Sequence, residues 1–129
     1  MPKAKPLISI IDDDEPMREA IKGLMRSLGY RVEAAASAQE FLSSRHVGRT
    51  SCLIADMQMP GMTGLELYQR LSTSGKPIPT VLITAYPDNG VRERALAAGV
   101  IGYLSKPFEE DDLLACIRSA LTDDRSGGR

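Results

Sequence analysis

Short apolar runs rich in β-branched residues alternate with stretches of helical periodicity along the whole chain, and that alternation leaves few folds open. Leu7 to Ile11 reads as a strand. Pro16 to Leu28 sets its apolar residues at helical spacing, with Pro16 suited to a first turn and Gly29 to a stop. A weaker strand is expected from Tyr30 to Ala34. Ser37 and Glu40 have the spacing of a capping box, in which a hydroxyl at the helix start and a carboxylate three residues on each accept from the other's backbone N–H. Cys52 to Ala55 reads as a third strand ending at Asp56. Thr63 with Glu66 repeats the capping-box spacing before a helix through Leu71, which Ser74-Gly75-Lys76-Pro77 breaks. Thr80 to Thr84 is a fourth strand, Val91 to Ala98 a helix stopped by Gly99, and Ile101 to Leu104 a short fifth strand. Glu109-Glu110-Asp111-Asp112 places acid at the start of a final helix running to about Leu121, where it complements the helix dipole.

Strands that are apolar without alternation are expected to be buried on both faces, which predicts a parallel sheet with helices on each side. A barrel of such units takes about eight of them, so an open, doubly wound, five-stranded α/β sheet is the better fit. With 129 residues the chain is long enough for one domain and a core without disulfide or metal staples. That domain is assigned to residues 1–121, with 122–129 a linker or tail of Gly- and Asp-rich composition. The 16 basic and 17 acidic residues nearly cancel, which argues against a nucleic-acid or anionic-membrane surface. The basic start, Met1 to Pro6, is followed by too short an apolar run for a signal peptide or membrane span, so the cytoplasm is the expected location. Cys52 and Cys116 lie in apolar runs and read as small buried hydrophobes that stay reduced.

In open parallel sheets ligands bind beyond the carboxyl ends of the strands. The first strand ends in Asp12-Asp13-Asp14-Glu15, the third in Asp56, the fourth in Thr84, and the fifth shortly before Lys106, so these residues are expected to converge. Carboxylates gathered in this way repel one another and raise each other's pKa unless a cation joins them. Hard oxygen ligands favour Mg²⁺, and Lys106 adds a compact positive charge. Singly, each residue is ordinary: acids at a helix start serve the dipole, as Glu109 to Asp112 do, Thr84 is a strand residue, and Tyr103 a half-buried aromatic. Asp56 differs, because an acid at the end of a buried strand needs a partner. Glu15 is assigned to the helix start and Asp14 to no definite role.

In combination and order, Ile11-Asp12-Asp13-Asp14, Asp56-Met57-Gln58-Met59-Pro60-Gly61-Met62-Thr63-Gly64, Thr84-Ala85 and Lys106-Pro107-Phe108 resemble the motifs of the receiver domains of two-component response regulators, the CheY-like fold, over about Leu7 to Leu121. From Ala85 to Leu104 the chain looks most similar to the FixJ-like branch, whose receivers usually precede a DNA-binding helix-turn-helix domain. The resemblance implies strand order 2-1-3-4-5 and a chain that accepts a phosphoryl group on Asp56 from the phosphohistidine of a sensor histidine kinase. It implies Mg²⁺ as the cofactor, held by Asp13, Asp56 and the Gln58 main-chain carbonyl, and by Asp12 largely through water. Lys106 and the Thr84 hydroxyl would each meet a phosphoryl oxygen, Ala85 would leave access, and the Lys106-Pro107 bond would be cis. Gln58 and Tyr86 occupy positions where the family tunes the lifetime of the phosphate.

The resemblance further implies a switch in which Thr84 moves inward and Tyr103 turns into the space released. The face of the fourth helix, fifth strand and fifth helix would then change its partner, with a phosphorylation-dependent homodimer as one outcome. Such a chain is no enzyme beyond its own phosphorylation and dephosphorylation, binds no nucleic acid or membrane directly, and controls transcription through a missing or separate output domain. The tail fits either a piece of a longer regulator or a stand-alone receiver. Two other classes share parts of the pattern. A hydrolase of the haloacid-dehalogenase class needs a second carboxylate two residues after the nucleophile, where this chain has Gln58. A flavin or nucleotide binder needs glycines at the first turn, where Asp12 to Glu15 would repel a phosphate without a metal.

Overall fold

The structure, a computed structural model, describes residues 5–127. Strands β1 (Leu7–Ile11), β2 (Arg31–Ala35), β3 (Cys52–Asp56), β4 (Thr80–Thr84) and β5 (Gly102–Ser105) form one parallel sheet in the order β2-β1-β3-β4-β5. Helices α1 (Glu15–Ser27), α2 (Ala38–Leu42), α3 (Gly64–Thr73), α4 (Asn89–Ala98) and α5 (Glu110–Gly127) connect or follow the strands, with a 3-10 turn at Val47–Arg49. The expected fold and strand order are therefore both present.

The side-chain period of two explains why the central strands lack polar alternation. Ile8, Ile10, Cys52, Ile54, Val81 and Ile83 point to one face, where they pack with Ile21 and Met25 of α1 and Leu113 and Ile117 of α5. Ile11, Leu53, Ala55 and Leu82 point to the other, against Phe41 of α2, Leu67 and Leu71 of α3 and Ala95 of α4. Each face has its own core, so every residue of β1, β3 and β4 is buried.

Local signals mark most boundaries. Thr63 and Glu66 form a complete capping box on α3, and Gly99 ends α4 in the left-handed region at φ 113°. At α2 the box is displaced: Ser37 Oγ accepts from Glu40 N–H, but the Glu40 carboxylate reaches back to Ala36 N–H, one residue before the cap. The second and fifth strands begin one residue later than expected, at Arg31 and Gly102. The final helix does not end near Leu121. It continues to Gly127, because no proline or glycine interrupts the intrahelical hydrogen bonds before that point. The ends of the expected domain and tail, Met1 to Ala4 and Gly128 to Arg129, lie outside the described residues. Cys52 is buried as expected, but Cys116 is only half-buried, since it sits on the flank of α5 beside Gly102; both are free thiols.

Candidate functional site

Strand register brings the sequence-distant acids together. Ile11 pairs with Ala55, Asp56 with Ile83, and Thr84 with Ser105, so four strands end at one level and release Asp12, Asp56, Thr84 and Lys106 at the same edge. The Lys106 N–H donates to the Thr84 carbonyl at 2.7 Å, tying the residue after β5 to the end of β4. Lys106-Pro107 is a cis peptide.

Asp12 is fully buried and Asp56 is 4% exposed, while Asp13 is exposed at the mouth. One carboxylate oxygen from each of the three lies within 4.8 Å of the others. Lys106 Nζ donates to Asp12 Oδ2 at 3.2 Å and to Asp56 Oδ2 at 3.4 Å. Three carboxylates facing one ammonium leave the pocket about two charges negative, which makes it compatible with a divalent metal ion. Burial first, and then the charge of Asp12, push the Asp56 carboxyl up to about 6, against the pull of the Gln58 N–H and of Lys106. Burial pulls Lys106 down, but the hydrogen bond and charge of Asp12, followed by those of Asp56, outweigh it and leave the ammonium above its ordinary value.

Thr84 is buried, and its hydroxyl donates to Gln58 Oε1 at 2.8 Å while accepting from Tyr86 N–H at 2.9 Å. Tyr103 is half-buried on β5, and its hydroxyl accepts from Asp88 N–H at 3.3 Å, at the start of α4. Tyr86 is 74% exposed. A separate cavity of about 160 Å³, lined in part by Ser9, Phe41 and His46, includes none of these residues.

Two contributors, Asp14 as a cap and Arg18, escape the sequence reading, and the resemblance places Gln58 at the site without giving its side chain a partner. Asp14 caps α1, its Oδ2 accepting from Met17 N–H at 3.0 Å, and Asp14 N–H donates to Asp12 Oδ1 at 2.9 Å. An Asp followed two residues later by Pro in the first turn was a readable capping signal. Arg18 Nη1 donates to the Asp12 carbonyl at 2.9 Å, and the Gln58 side chain, not only its main chain, faces the site. No local pattern announces either contact.

The family model described as "Response regulator receiver domain" matches residues 8–118. Response regulator protein TmoT of Ectopseudomonas mendocina is 41% identical over 115 residues, covering 89% of this chain and 52% of that protein. Transcriptional regulatory protein FixJ of Bradyrhizobium diazoefficiens is 36% identical over 114 residues, covering 88% of this chain and 56% of that protein. Among solved structures, the response regulator StyR superposes with a TM-score of 0.87 at 42% identity, over 98% of this chain and 65% of that one. The chain thus spans about half the length of the curated relatives it matches. No helix among the described residues is long and apolar enough to cross a membrane.

Proposed function

Because the chain belongs to the response regulator receiver domains, the phosphoacceptor modules of two-component systems, we propose that its Asp56 carboxylate attacks the phosphorus of a sensor kinase's phosphohistidine. The P–N bond breaks as the Asp56 O–P bond forms, and the imidazole leaves. The observation that carries this reading is the placement of Asp56: nearly buried, beside two further carboxylates, with Lys106 Nζ at 3.4 Å. An anionic nucleophile meeting an anionic phosphoryl group needs charge neutralisation and alignment more than any other help.

The chain's own residues divide that work. Lys106 lies against Asp56 and pairs with one phosphoryl oxygen after transfer, and the Thr84 hydroxyl donates to another. Asp13, Asp56 and the Gln58 main-chain carbonyl would hold Mg²⁺ directly, and Asp12 would support it largely through water. When bound, that ion neutralises charge on the transferring group. Arg18 and the Asp14 N–H hold Asp12 in place from behind. The chain turns over no substrate beyond its own phosphorylation and dephosphorylation.

Phosphorylation acts as a bias between two pre-existing arrangements of Thr84 and Tyr103. The output is a change at the face of α4, β5 and α5, with homodimerisation there as its form. Transcription control passes through an output domain of the full regulator, in the cytoplasm, and this domain binds no nucleic acid itself. The dimer is checked by sedimentation of the phosphorylated chain, where a purely monomeric profile at high micromolar concentration counts against it.

Intact-mass measurement after incubation with Mg²⁺ and acetyl phosphate tests the central claim, which expects a labile gain of one phosphoryl group on Asp56. Asp13→Ala is expected to weaken Mg²⁺ binding by roughly a hundredfold or more, because a unit charge at ~4 Å is worth about 4 kcal/mol at an effective dielectric near 20. Calorimetric titration that finds unchanged affinity removes Asp13 from the ligand set.

A further inference from the structure

Gln58 does more in this fold than offer a main-chain carbonyl. Its N–H donates to Asp56 Oδ1 at 3.2 Å, which keeps the residue beside the carboxylate, and its side chain turns back over the strand ends. There the carboxamide oxygen accepts two hydrogen bonds, from the Thr84 hydroxyl at 2.8 Å and from the Ala85 N–H at 3.2 Å. The Thr84 hydroxyl accepts from Tyr86 N–H, and its single proton is given to Gln58. Two donors from the end of β4 therefore converge on one oxygen of a residue whose main-chain N–H donates to Asp56.

We propose that the Gln58 carboxamide is a placeholder for a phosphoryl oxygen: it satisfies the Thr84 hydroxyl and Ala85 N–H while Asp56 is unmodified, and must leave before those donors can serve the phosphoryl group. The inference rests on the reading of Asp56 as phosphoacceptor. An anionic phosphoryl oxygen takes charge-assisted hydrogen bonds about twice as strong as those of a neutral amide, so the exchange runs toward the phosphorylated form. Until it occurs, the two bonds hold Thr84 in its resting position, since its buried hydroxyl has an acceptor at hand and loses one if it moves. Gln58 is thus a positioning residue that acts through Thr84 and slows both phosphorylation and the switch.

The experiment compares the full chain with Gln58→Met, which keeps the length of this exposed side chain and the main-chain carbonyl but has no amide. With acetyl phosphate and Mg²⁺, Gln58→Met is expected to label roughly three- to tenfold faster, the factor one ordinary hydrogen bond is worth. In a Thr84→Ala background the same change is expected to add little, because the main partner of the carboxamide is gone. The Ala85 amide resonance is expected to shift, and its hydrogen exchange to quicken, in unphosphorylated Gln58→Met. Labelling that is unchanged or slower in Gln58→Met while the unsubstituted chain is labelled overturns the placeholder alone. An unsubstituted chain that takes no label overturns the phosphoacceptor reading with it.

Discussion

The Asp56→Asn chain is expected to take up no phosphoryl group from acetyl phosphate, and in the absence of divalent cations to melt at a higher temperature than the unsubstituted chain at pH 7. The first effect follows from chemistry, since a carboxamide oxygen is a poor nucleophile whereas the side chain is nearly isosteric and leaves the core undisturbed. The second follows from the environment. Asp56 is 4% exposed and shares its pocket with the buried Asp12, which together push its carboxyl up to about 6. In the unfolded chain the same group titrates near about 4. The folded state therefore holds this proton more tightly, so the carboxyl favours folding below about pH 4 and that contribution is lost as pH rises through about 6. At pH 7 the ionised group opposes folding, and the amide removes the penalty at the cost of one contact with Lys106. The net gain is about 1–2 kcal/mol, and it should shrink toward pH 4. Thermal melts across pH and intact-mass labelling check both halves; a labelled Asn variant, or one less stable at pH 7, contradicts the assignment.

Gly64→Ala is expected to damage fold and site together. Gly64 opens α3 and is buried against the end of β3. A Cβ there would stand 2.7 Å from the Asp56 carbonyl oxygen, 3.2 Å from its carbon and 2.9 Å from Leu82 Cδ2. The Leu82 methyl is fully buried, and the other two atoms are main chain of Asp56, so nothing nearby yields cheaply. Relief requires moving α3 away from β3 or shifting Asp56. Overpacking of this kind costs about 2–3 kcal/mol, or roughly 10 °C in Tm for a domain of this size. The rate of labelling should drop as well, because the Asp56 backbone moves. Gly23→Ala on the exposed side of α1 is the control: its Cβ meets nothing within 4 Å, and replacing a mid-helix glycine is expected to stabilise by about 0.5–1 kcal/mol. Equal melting temperatures for the two variants would show that the close approach at Gly64 is not what holds α3 to the sheet.

Several parts of this architecture are legible one residue at a time, and others are not. The Thr63 and Glu66 capping box and the Gly99 stop are formed by residues within one helical turn of each other, so their spacing suffices. The Ser37 and Glu40 pair has the same spacing and yet closes on Ala36 N–H, because the entry path of the chain from β2 decides which N–H the carboxylate reaches. The end of α5 lies beyond Leu121 for a related reason: backbone hydrogen bonds can continue past the apolar pattern where no proline or glycine stops them. Asp14, left without a role on sequence grounds, is the α1 cap and a support for Asp12.

The sequence by itself determined the βα alternation, the two-sided burial of the strands and the set of polar residues at strand ends, because hydropathy and turn chemistry act over a few neighbouring residues. Family membership was legible as well, through the order of the Asp12, Asp56, Thr84 and Lys106 motifs. Only the tertiary structure decided which of these groups touch. Lys106 meets Asp12 across 94 positions of chain, and Gln58 meets Thr84 across 26, contacts fixed by strand register and by where each side chain finds space. Such pairings arise from the packing of the whole sheet and its helices, which no local window of the sequence encodes.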